Sequence, residues 1–262
     1  MKSPRSPADL TAIALQVAQD CAKIVVQGYR KRPAADKKGP VDLVTEYDLK
    51  SEQFLRSRLR ELTPEIPLLA EEKGGIEVES LCWYCDPLDG TTNFVHGHPF
   101  FAVSIGVMDR GIPTAGAVVA PVLNLAWVGY QNGPATRNGQ PCEVSQTEIV
   151  DEALFATGFP YDRQREPENN FLAWANVKKH ARGVRRCGSA AIDMCLVADG
   201  TYDGYWERSL HAWDIVAGAA IVLAAGGRVT ALDGSVARLD TGNVVATNGR
   251  MHAPLLDLLK NR

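Results

Sequence analysis

The 262-residue sequence lacks several features that would assign it to a specialised class of protein. No apolar run approaches the roughly 20 residues that a membrane-spanning helix requires. Neither sign of charge dominates, because 28 basic residues stand against 31 acidic ones and leave a formal net charge of -3. Such a balance gives no general attraction for nucleic acid or anionic lipid. No internal repeat is visible, and the hydrophobic fraction of 45% is that of an ordinary globular protein.

The cysteine content excludes a disulfide scaffold, because six cysteines are too few in a chain of this length. Cys82 and Cys85 form a C-x-x-C pair, a spacing found in redox and zinc sites. The surrounding segment, SLCWYCD, favours a β-strand, in which residues three apart point to opposite faces. No second C-x-x-C is present to complete a zinc site. We therefore interpret these cysteines as buried structural residues.

The first residues combine basic and apolar side chains without matching a secretion signal. Polar residues, among them Asp9 and Asp20, interrupt the apolar region, and no small-residue cleavage site follows. The apolar residues recur at helical spacing instead, which predicts an amphipathic helix from about Asp9 to Gly28. We therefore expect a cytoplasmic protein.

Local patterns predict a mixed α/β chain without a long linker. A polar loop over residues 30–40 precedes a second helix from about Glu46 to Leu62, with Thr45 and Asp48 spaced as in a capping box. Short β-rich segments follow, and residues 109–111 form a good hairpin turn between two of them. The other predicted elements are strands at 81–86, 100–108, 116–120, 125–130, 228–231 and 243–247, and helices at 189–198, 215–225 and 254–260.

The run DPLDGTTNF at residues 86–94 carries the clearest chemical signal. An apolar strand ends at Asp86, Gly90 helps to enforce a turn, and Thr91 begins a predicted short helix. The free N–H groups at a helix start suit phosphate, and the carboxylates before it suit a hard cation such as Mg²⁺. The plainer alternative is that Asp86 and Asp89 only shape the turn and cap the helix.

Two further acidic positions lie at the ends of predicted elements. Glu71 and Glu72 follow the apolar run 67–70, and Asp214 precedes an almost wholly apolar helix. On its own, Asp214 is interpreted as an N-cap. Three acidic element ends in one chain suggest a multi-metal site, but sequence spacing alone does not show that they converge.

Other candidate motifs favour structural roles. His96 and His98 carry imidazoles, which suit zinc better than Mg²⁺, so turn and hydrogen-bonding roles are favoured. Arg182, Arg185 and Arg186 could contact a phosphate or a partner, but a solvated basic face is the favoured interpretation. Ser189 lacks the G-x-S-x-G elbow of a nucleophile, and no Walker loop or G-x-G-x-x-G supports nucleotide binding.

Several segments together closely resemble the signature of the inositol monophosphatase family of Mg²⁺-dependent, lithium-sensitive phosphatases. They occur in the expected order along almost the whole chain. The segments are DLVTEYD at 42–48, AEE at 70–72, DPLDGTTNF at 86–94, RRCGSAAIDMCLVADGTYDGYW at 185–206 and HAWDIVAGAAIVLAAGG at 211–227. The resemblance implies an α/β (α+β) protein with a layered αβαβα sandwich. It implies a single domain over residues 1–262, or two tightly packed subdomains that split near residues 140–150.

The resemblance also implies a site for two to three Mg²⁺ ions. The implied metal ligands are Glu71, Asp86, the Leu88 carbonyl, Asp89 and Asp214. One ion would lower the pKa of a bound water and another would offset charge on the leaving oxygen. Positioning and electrostatics would then supply most of the rate of phosphate-ester hydrolysis.

Other positions are implied to act on the attacking water and the substrate. Thr91 and Glu71 would position and deprotonate the water, and Asp48 would support them. Glu207 would hydrogen-bond to the inositol ring hydroxyls, and backbone N–H groups in the turn would bind phosphate. The implied substrate-binding positions are Asp86, Leu88, Asp89, Gly90, Thr91, Ser189, Ala190, Glu207 and Asp214.

We therefore expect hydrolysis of inositol 1-phosphate to myo-inositol and phosphate by a homodimer. Fructose 1,6-bisphosphate, histidinol phosphate and a nucleotide 3′-phosphate are rival substrates of the same site. Glu207 favours polyols, and the sequence shows no evident aromatic platform for a base. A regulatory or RNA-associated protein that keeps the fold is the alternative from another class. The intact acidic set argues against an inactive enzyme, and the net charge of -3 argues against bulk RNA binding.

Overall fold

The structure is a computed structural model that describes residues 5–37, 39, 43–75, 80–161, 163, 164 and 169–260. Within these residues the chain forms helices that alternate with short strands. The helices are α1 (Pro7–Val26), α2 (Glu46–Leu62), α3 (Thr91–His96), α4 (Phe171–His180), α5 (Ala190–Ala198), α6 (Ala212–Ala224) and α7 (His252–Lys260). The strands are β1 (Ala35–Lys37), β2 (Leu43–Thr45), β3 (Leu68–Ala70), β4 (Gly74–Gly75), β5 (Cys82–Asp89), β6 (Ala102–Asp109), β7 (Ile112–Ala120), β8 (Leu125–Tyr130), β9 (Ala135–Arg137), β10 (Gln140–Cys142), β11 (Leu154–Thr157), β12 (Gly183–Arg185), β13 (Gly204–Glu207), β14 (Arg228–Thr230) and β15 (Val244–Thr247).

Two large sheets and three pairs of helices form the layers of the fold. One sheet has eight strands in the order β10-β9-β8-β7-β6-β5-β3-β4, and the other has five in the order β12-β11-β13-β15-β14. Helices α1 and α2 cover the outer face of the eight-stranded sheet, α5 and α6 lie between the sheets, and α4 and α7 cover the outer face of the second. This order confirms the predicted αβαβα sandwich.

Local capping explains where the first two helices begin. Ser6 accepts a hydrogen bond from the Asp9 backbone and Pro7 occupies the first turn, so α1 begins two residues before the predicted position. Helix α2 has the predicted bounds, and Thr45 with Asp48 forms the predicted capping box. The loop prediction for 30–40 is wrong in part, because β1 lies within it and pairs with β2; residues 38 and 40 lie outside the described residues.

Strand β5 is buried along its whole length and places the sequence motif at the centre of the molecule. Its side chains alternate, so that Cys82 packs between the two sheets and Cys85 packs against α1 and α2. Both cysteines are buried and neither is part of a disulfide, in keeping with the structural interpretation of the C-x-x-C pair. The turn after β6 also has the predicted form, since Asp109 pairs with Ile112 and Gly111 has a φ of 77°.

The second sheet contains the elements that sequence patterns missed. Strands β11 and β13 lie at its centre, yet each has only four residues, too few to show alternation. The first large sheet ends at Cys142 and the second begins in sequence at Leu154. Whether this makes one domain or two subdomains stays a prediction. Among the described residues, no helix is both long enough and apolar enough to span a membrane.

Candidate active site

A polar pocket of about 330 Å³ lies where β5, β13 and the starts of α3, α5 and α6 meet. Its walls carry five carboxylates. One is Glu207, and we call the other four the acidic quartet: Glu71, Asp86, Asp89 and Asp214. The first follows β3, the next two end β5, and the last lies in the first turn of α6. The acids that follow β3, end β5 and begin α6 therefore line the same pocket, a convergence that the sequence alone does not show.

The structure brings the other implied substrate positions to the same pocket. They are Leu88, Gly90, Thr91, Ser189, Ala190 and Glu207. Asp48, which was implied as a catalytic residue, is fully buried on α2 and does not line the pocket. It reaches the site through Thr91 instead.

The β5–α3 turn has a shape that few sequences could adopt. The register of β5 against β6 shifts between Asp86 and Asp89, and the Leu88 N–H donates to Asp86 Oδ1 at 2.8 Å. Gly90 has a φ of 93°, and a Cβ there would lie 3.0 Å from the Phe100 carbonyl oxygen and 3.1 Å from that of Gly188. Both the conformation and the space require glycine at this turn.

Thr91 links the pocket to a buried carboxylate on α2. Its hydroxyl lies 2.8 Å from Asp48 Oδ1 and 3.1 Å from the Leu88 carbonyl oxygen. The other oxygen of Asp48 accepts the Thr45 backbone N–H at 2.8 Å. Burial raises the pKa of Asp48, while its bonds from Thr45 and Thr91 oppose the rise. The carboxylate that caps α2 therefore also orients the Thr91 hydroxyl.

The acidic quartet is electrostatically strained when no cation is near. Burial and the charges of Glu71, Asp89 and Asp214 raise the pKa of Asp86 well above its usual range. Burial and Asp214 raise the pKa of Asp89 to about 7, although hydrogen bonds from Ser189 and Ala191 oppose the rise. A pocket that crowds carboxylates in this way favours protons or cations.

Helices α5 and α6 hold two of these acids through their first turns. Ser189 caps α5 and donates to Asp89 Oδ2, which also accepts the Ala191 N–H at 2.8 Å. Asp214 is not the N-cap that the sequence suggested. His211 caps α6, and Asp214 is three residues further on, where its Oδ2 accepts the His211 N–H at 2.8 Å. Helix α6 therefore begins at Ala212, three residues before the predicted start.

Glu207 forms the far wall of the pocket, at the end of β13. The Tyr205 hydroxyl donates to Glu207 Oε2. Burial raises the pKa of Glu207 to about 7, while the Tyr205 bond and the Arg186 charge oppose the rise. Arg186 itself lines the pocket. Arg182, Arg185 and Arg186 are all exposed, as the predicted solvated basic face requires, and Arg186 in addition borders the pocket.

Sequence reasoning also missed the aromatic part of the pocket. Phe159, Tyr161 and Trp213 all contribute to its lining, and the Trp213 ring stacks on that of His211 with centroids 4.5 Å apart. Trp213 stands beside Asp214 within a quoted motif and could have been suspected on that ground. Phe159 and Tyr161 follow the missed strand β11, so no local signal pointed to them.

The fold and pocket are those of a phosphatase with a layered αβαβα core. The chain belongs to the inositol monophosphatase family, whose sequence profile matches residues 6–261. This family is enzymatic and generally metal-dependent.

Individual relatives match over nearly their whole length. An inositol-1-monophosphatase from Synechocystis is 40% identical over 260 residues, which is 97% of this chain and 91% of that protein. The Nus factor SuhB of Pseudomonas aeruginosa is 35% identical over 95% of this chain and 94% of its own length. The solved structure of an inositol monophosphatase from Anabaena superposes with a TM-score of 0.88 at 38% identity, over 96% of this chain and 95% of that one.

Proposed function

We propose that this protein is a Mg²⁺-dependent phosphomonoesterase that hydrolyses inositol 1-phosphate to myo-inositol and inorganic phosphate. The observation that carries the proposal is the convergence of the acidic quartet on one pocket beside Thr91. The similarity to proteins named inositol-1-monophosphatase supports the choice of substrate.

The residues present fit a hard divalent cation. Carboxylate and carbonyl oxygens are the donors that Mg²⁺ prefers, and the raised pKa of Asp86 shows that negative charge there needs compensation. No three His, Cys, Asp or Glu side chains form a ready-made metal cluster within the part of the chain that the structure describes. Mg²⁺ itself usually keeps several waters and binds through a few carboxylates together with substrate phosphate.

Each proposed ligand has a place in the pocket. We propose Glu71, Asp86, the Leu88 carbonyl, Asp89 and Asp214 as the ligands of two to three Mg²⁺ ions. When bound, Mg²⁺ supplies Lewis acidity and makes a bound water more acidic.

The chain's own groups then position the water and the phosphate. The Thr91 hydroxyl directs its proton to Asp48 Oδ1 and keeps lone pairs free to accept a hydrogen bond from the attacking water. Glu71, in the same pocket, is the proposed base for the proton of that water. The backbone N–H groups of Gly90 and Thr91 would hold the phosphate oxygens. Ser189 does not act as a nucleophile in this scheme, because water is the attacking group; its hydroxyl donates to Asp89 and caps α5.

The far wall of the pocket favours a substrate with several hydroxyls. Tyr205 occupies Glu207 Oε2, which leaves Oε1 to accept a hydrogen bond from a ring hydroxyl, with Ser189 and Ala190 nearby. Fructose 1,6-bisphosphate and histidinol phosphate remain rivals. A nucleotide 3′-phosphate is a stronger rival than the sequence indicated, because Phe159 and Tyr161 supply aromatic rings to the pocket.

A second candidate function is a regulatory or RNA-associated role, in addition to catalysis or in its place. Relatives named Nus factor SuhB, such as the one from Pseudomonas aeruginosa, favour it. The net charge of -3 argues against bulk RNA affinity. A salt-sensitive shift of RNA that survives in a metal-site variant would support this role.

Lithium sensitivity, a cytoplasmic location and a homodimer are proposed with the main function. The dimer has some structural support in an exposed apolar group at the start of α4, where Phe171 is 48% exposed and Leu172 is 66% exposed. Light scattering after size-exclusion chromatography would measure the oligomeric state.

The decisive test is phosphate release with and without Mg²⁺ from inositol 1-phosphate, fructose 1,6-bisphosphate, histidinol phosphate and a nucleotide 3′-phosphate. The wild type is compared with Asp89→Asn and with Asp109→Asn, a control in the hairpin turn away from the pocket. We expect strongest release from inositol 1-phosphate, loss of activity in Asp89→Asn or without Mg²⁺, and unchanged activity in the control. Another preferred substrate would contradict the substrate assignment alone. No release from any of them would contradict the catalytic function.

A further inference from the structure

We infer that Glu52 is a positioning residue that fixes the turn carrying Glu71 and so sets the affinity of the pocket for its divalent cation. This inference rests on the proposed function. Glu52 lies on α2, its side chain is fully buried, and it does not line the pocket. In the sequence, Glu52 belongs to no motif and lies at no informative spacing from another candidate residue.

The carboxylate of Glu52 binds the backbone just after Glu71. Its Oε2 accepts the Glu72 N–H at 2.6 Å, and its Oε1 accepts the Lys73 N–H at 3.0 Å. The same Oε1 accepts Arg56 Nε at 2.7 Å from the next turn of the helix. A buried carboxylate is stable only when its oxygens are paired in this way.

Arg56 fastens the other end of the turn. Its guanidinium also donates to the carbonyl oxygen of Gly74, which begins β4 and pairs with Ala70 of β3. Glu52 and Arg56, one helical turn apart, therefore hold the turn from Glu72 to Gly74 against α2. We call this pair the α2 clamp.

Glu71 is anchored on its other side by the motif strand. Its backbone N–H donates to the carbonyl oxygen of Cys85 at 3.3 Å, and Cys85 directly precedes Asp86. The Glu71 backbone thus lies between β5 on one side and the α2 clamp on the other. Loosening the clamp removes one of the contacts that fix this backbone, so the Glu71 carboxylate would sample positions away from the rest of the acidic quartet. Groups that orient metal ligands typically change metal affinity by roughly 10–100-fold when they are removed.

The test is the substitution Glu52→Gln, which keeps the shape of the side chain but replaces one oxygen with an NH₂ group facing backbone or guanidinium donors. We expect the dissociation constant for Mn²⁺, used as a Mg²⁺ substitute and measured by calorimetry on metal-free protein, to rise roughly tenfold or more. Hydrogen exchange at the Glu72 and Lys73 amides should accelerate. At saturating Mg²⁺, kcat should recover most of its wild-type value. Glu46→Gln, on the exposed side of the same helix, is the matched control and should leave all three readouts unchanged.

Arg56→Gln is a second test variant, and it also tests the inference if Glu52→Gln does not fold. It removes the guanidinium but leaves both backbone bonds to Glu52, so we expect a smaller rise in the Mn²⁺ dissociation constant. A purely structural role predicts a lower melting temperature with unchanged metal affinity in the folded variants, and that result would overturn the inference. If the wild type itself neither binds Mn²⁺ nor releases phosphate, the proposed function fails, and the control measurements separate the two cases.

Discussion

The acidic quartet should make the metal-free protein less stable than a variant with a damaged site. The perturbation is Asp89→Asn, measured in EDTA. The buried Asp89 carboxylate is held near Asp214, and its pKa is raised from 3.8 to about 7. A shift of about 3 units corresponds to about 4 kcal/mol that the folded state loses when this group is ionised. Asparagine removes that charge.

The hydrogen bonds of Asp89 should survive this substitution. Ser189 and Ala191 both donate to the same oxygen, Oδ2, so the single amide oxygen of asparagine can accept both. The amide NH₂ then takes the place of Oδ1 in a pocket lined by carboxylates, which is electrostatically favourable. We expect the metal-free variant to be more stable than the wild type by up to about 4 kcal/mol at pH 8, or roughly 10 °C in melting temperature.

The pH dependence gives the sign of the effect. Because the pKa of Asp89 in the folded state lies above its unfolded value, its charge lowers stability as the pH rises from about 4 through 7. The advantage of Asp89→Asn should therefore be largest at pH 8 and vanish near pH 4. Saturating Mg²⁺ should narrow the difference, since ligand at 100 times its dissociation constant adds about 2.7 kcal/mol to the wild type alone.

The assay is urea or thermal unfolding followed by circular dichroism in EDTA at several pH values, with Asp109→Asn, in the hairpin turn away from the pocket, as the control. The reasoning is refuted if metal-free Asp89→Asn is less stable than the wild type at pH 8. It is equally refuted if the difference between the two proteins does not shrink as the pH falls.

Three other substitutions test separate parts of the structure. Thr91→Val removes the hydroxyl beside Asp48, and steady-state kinetics on the folded variant should show kcat reduced by roughly 100-fold or more, with a lower melting temperature because the buried Asp48 Oδ1 loses its donor; near wild-type kcat would exclude Thr91 from the reaction. In the wild type, Asn93 Nδ2 donates to the Cys187 carbonyl oxygen at 2.8 Å. Asn93→Ala removes this donor, and denaturant unfolding should show a free energy of unfolding lowered by about 1–3 kcal/mol; an unaltered unfolding midpoint would contradict this. Burial lowers the pKa of His252 to about 4, so stability should fall as the pH drops from about 6.5 to 4, and His252→Gln should flatten that dependence in acid unfolding experiments.

The sequence predicts those parts of the fold whose signals are local. Helix α2 has the predicted bounds because Thr45 and Asp48 form its cap within four residues. The turn at Asp109 is equally local, since its hairpin closes at Ile112. Strand β13, with four residues that include Gly204, is specified by its neighbours β11 and β15. Nothing in so short a segment distinguishes a central strand from a loop.

The acids of the site show where local patterns stop being informative. The capping role of Asp48 follows from its spacing to Thr45, but its other oxygen binds Thr91, 43 residues further on. Asp214 likewise completes the cap of α6 while it faces the pocket. From the sequence, helix capping is a sufficient explanation for Asp48 and for Asp214. Only the packing of the two sheets shows that each acid also contributes to the site.

Glu52 is the converse case, because it caps nothing and belongs to no motif. Its carboxylate is buried and would be unfavourable without partners, yet those partners are backbone amides 20 and 21 residues away. The sequence shows a glutamate on the same helical face as Leu55 and Leu59. It does not show why a carboxylate stands among these apolar residues. The role of this carboxylate depends on the turn that packs against it, and that turn carries Glu71. The expected rise in the Mn²⁺ dissociation constant of Glu52→Gln therefore tests whether the fold, beyond the metal ligands themselves, determines how tightly this pocket holds its cation.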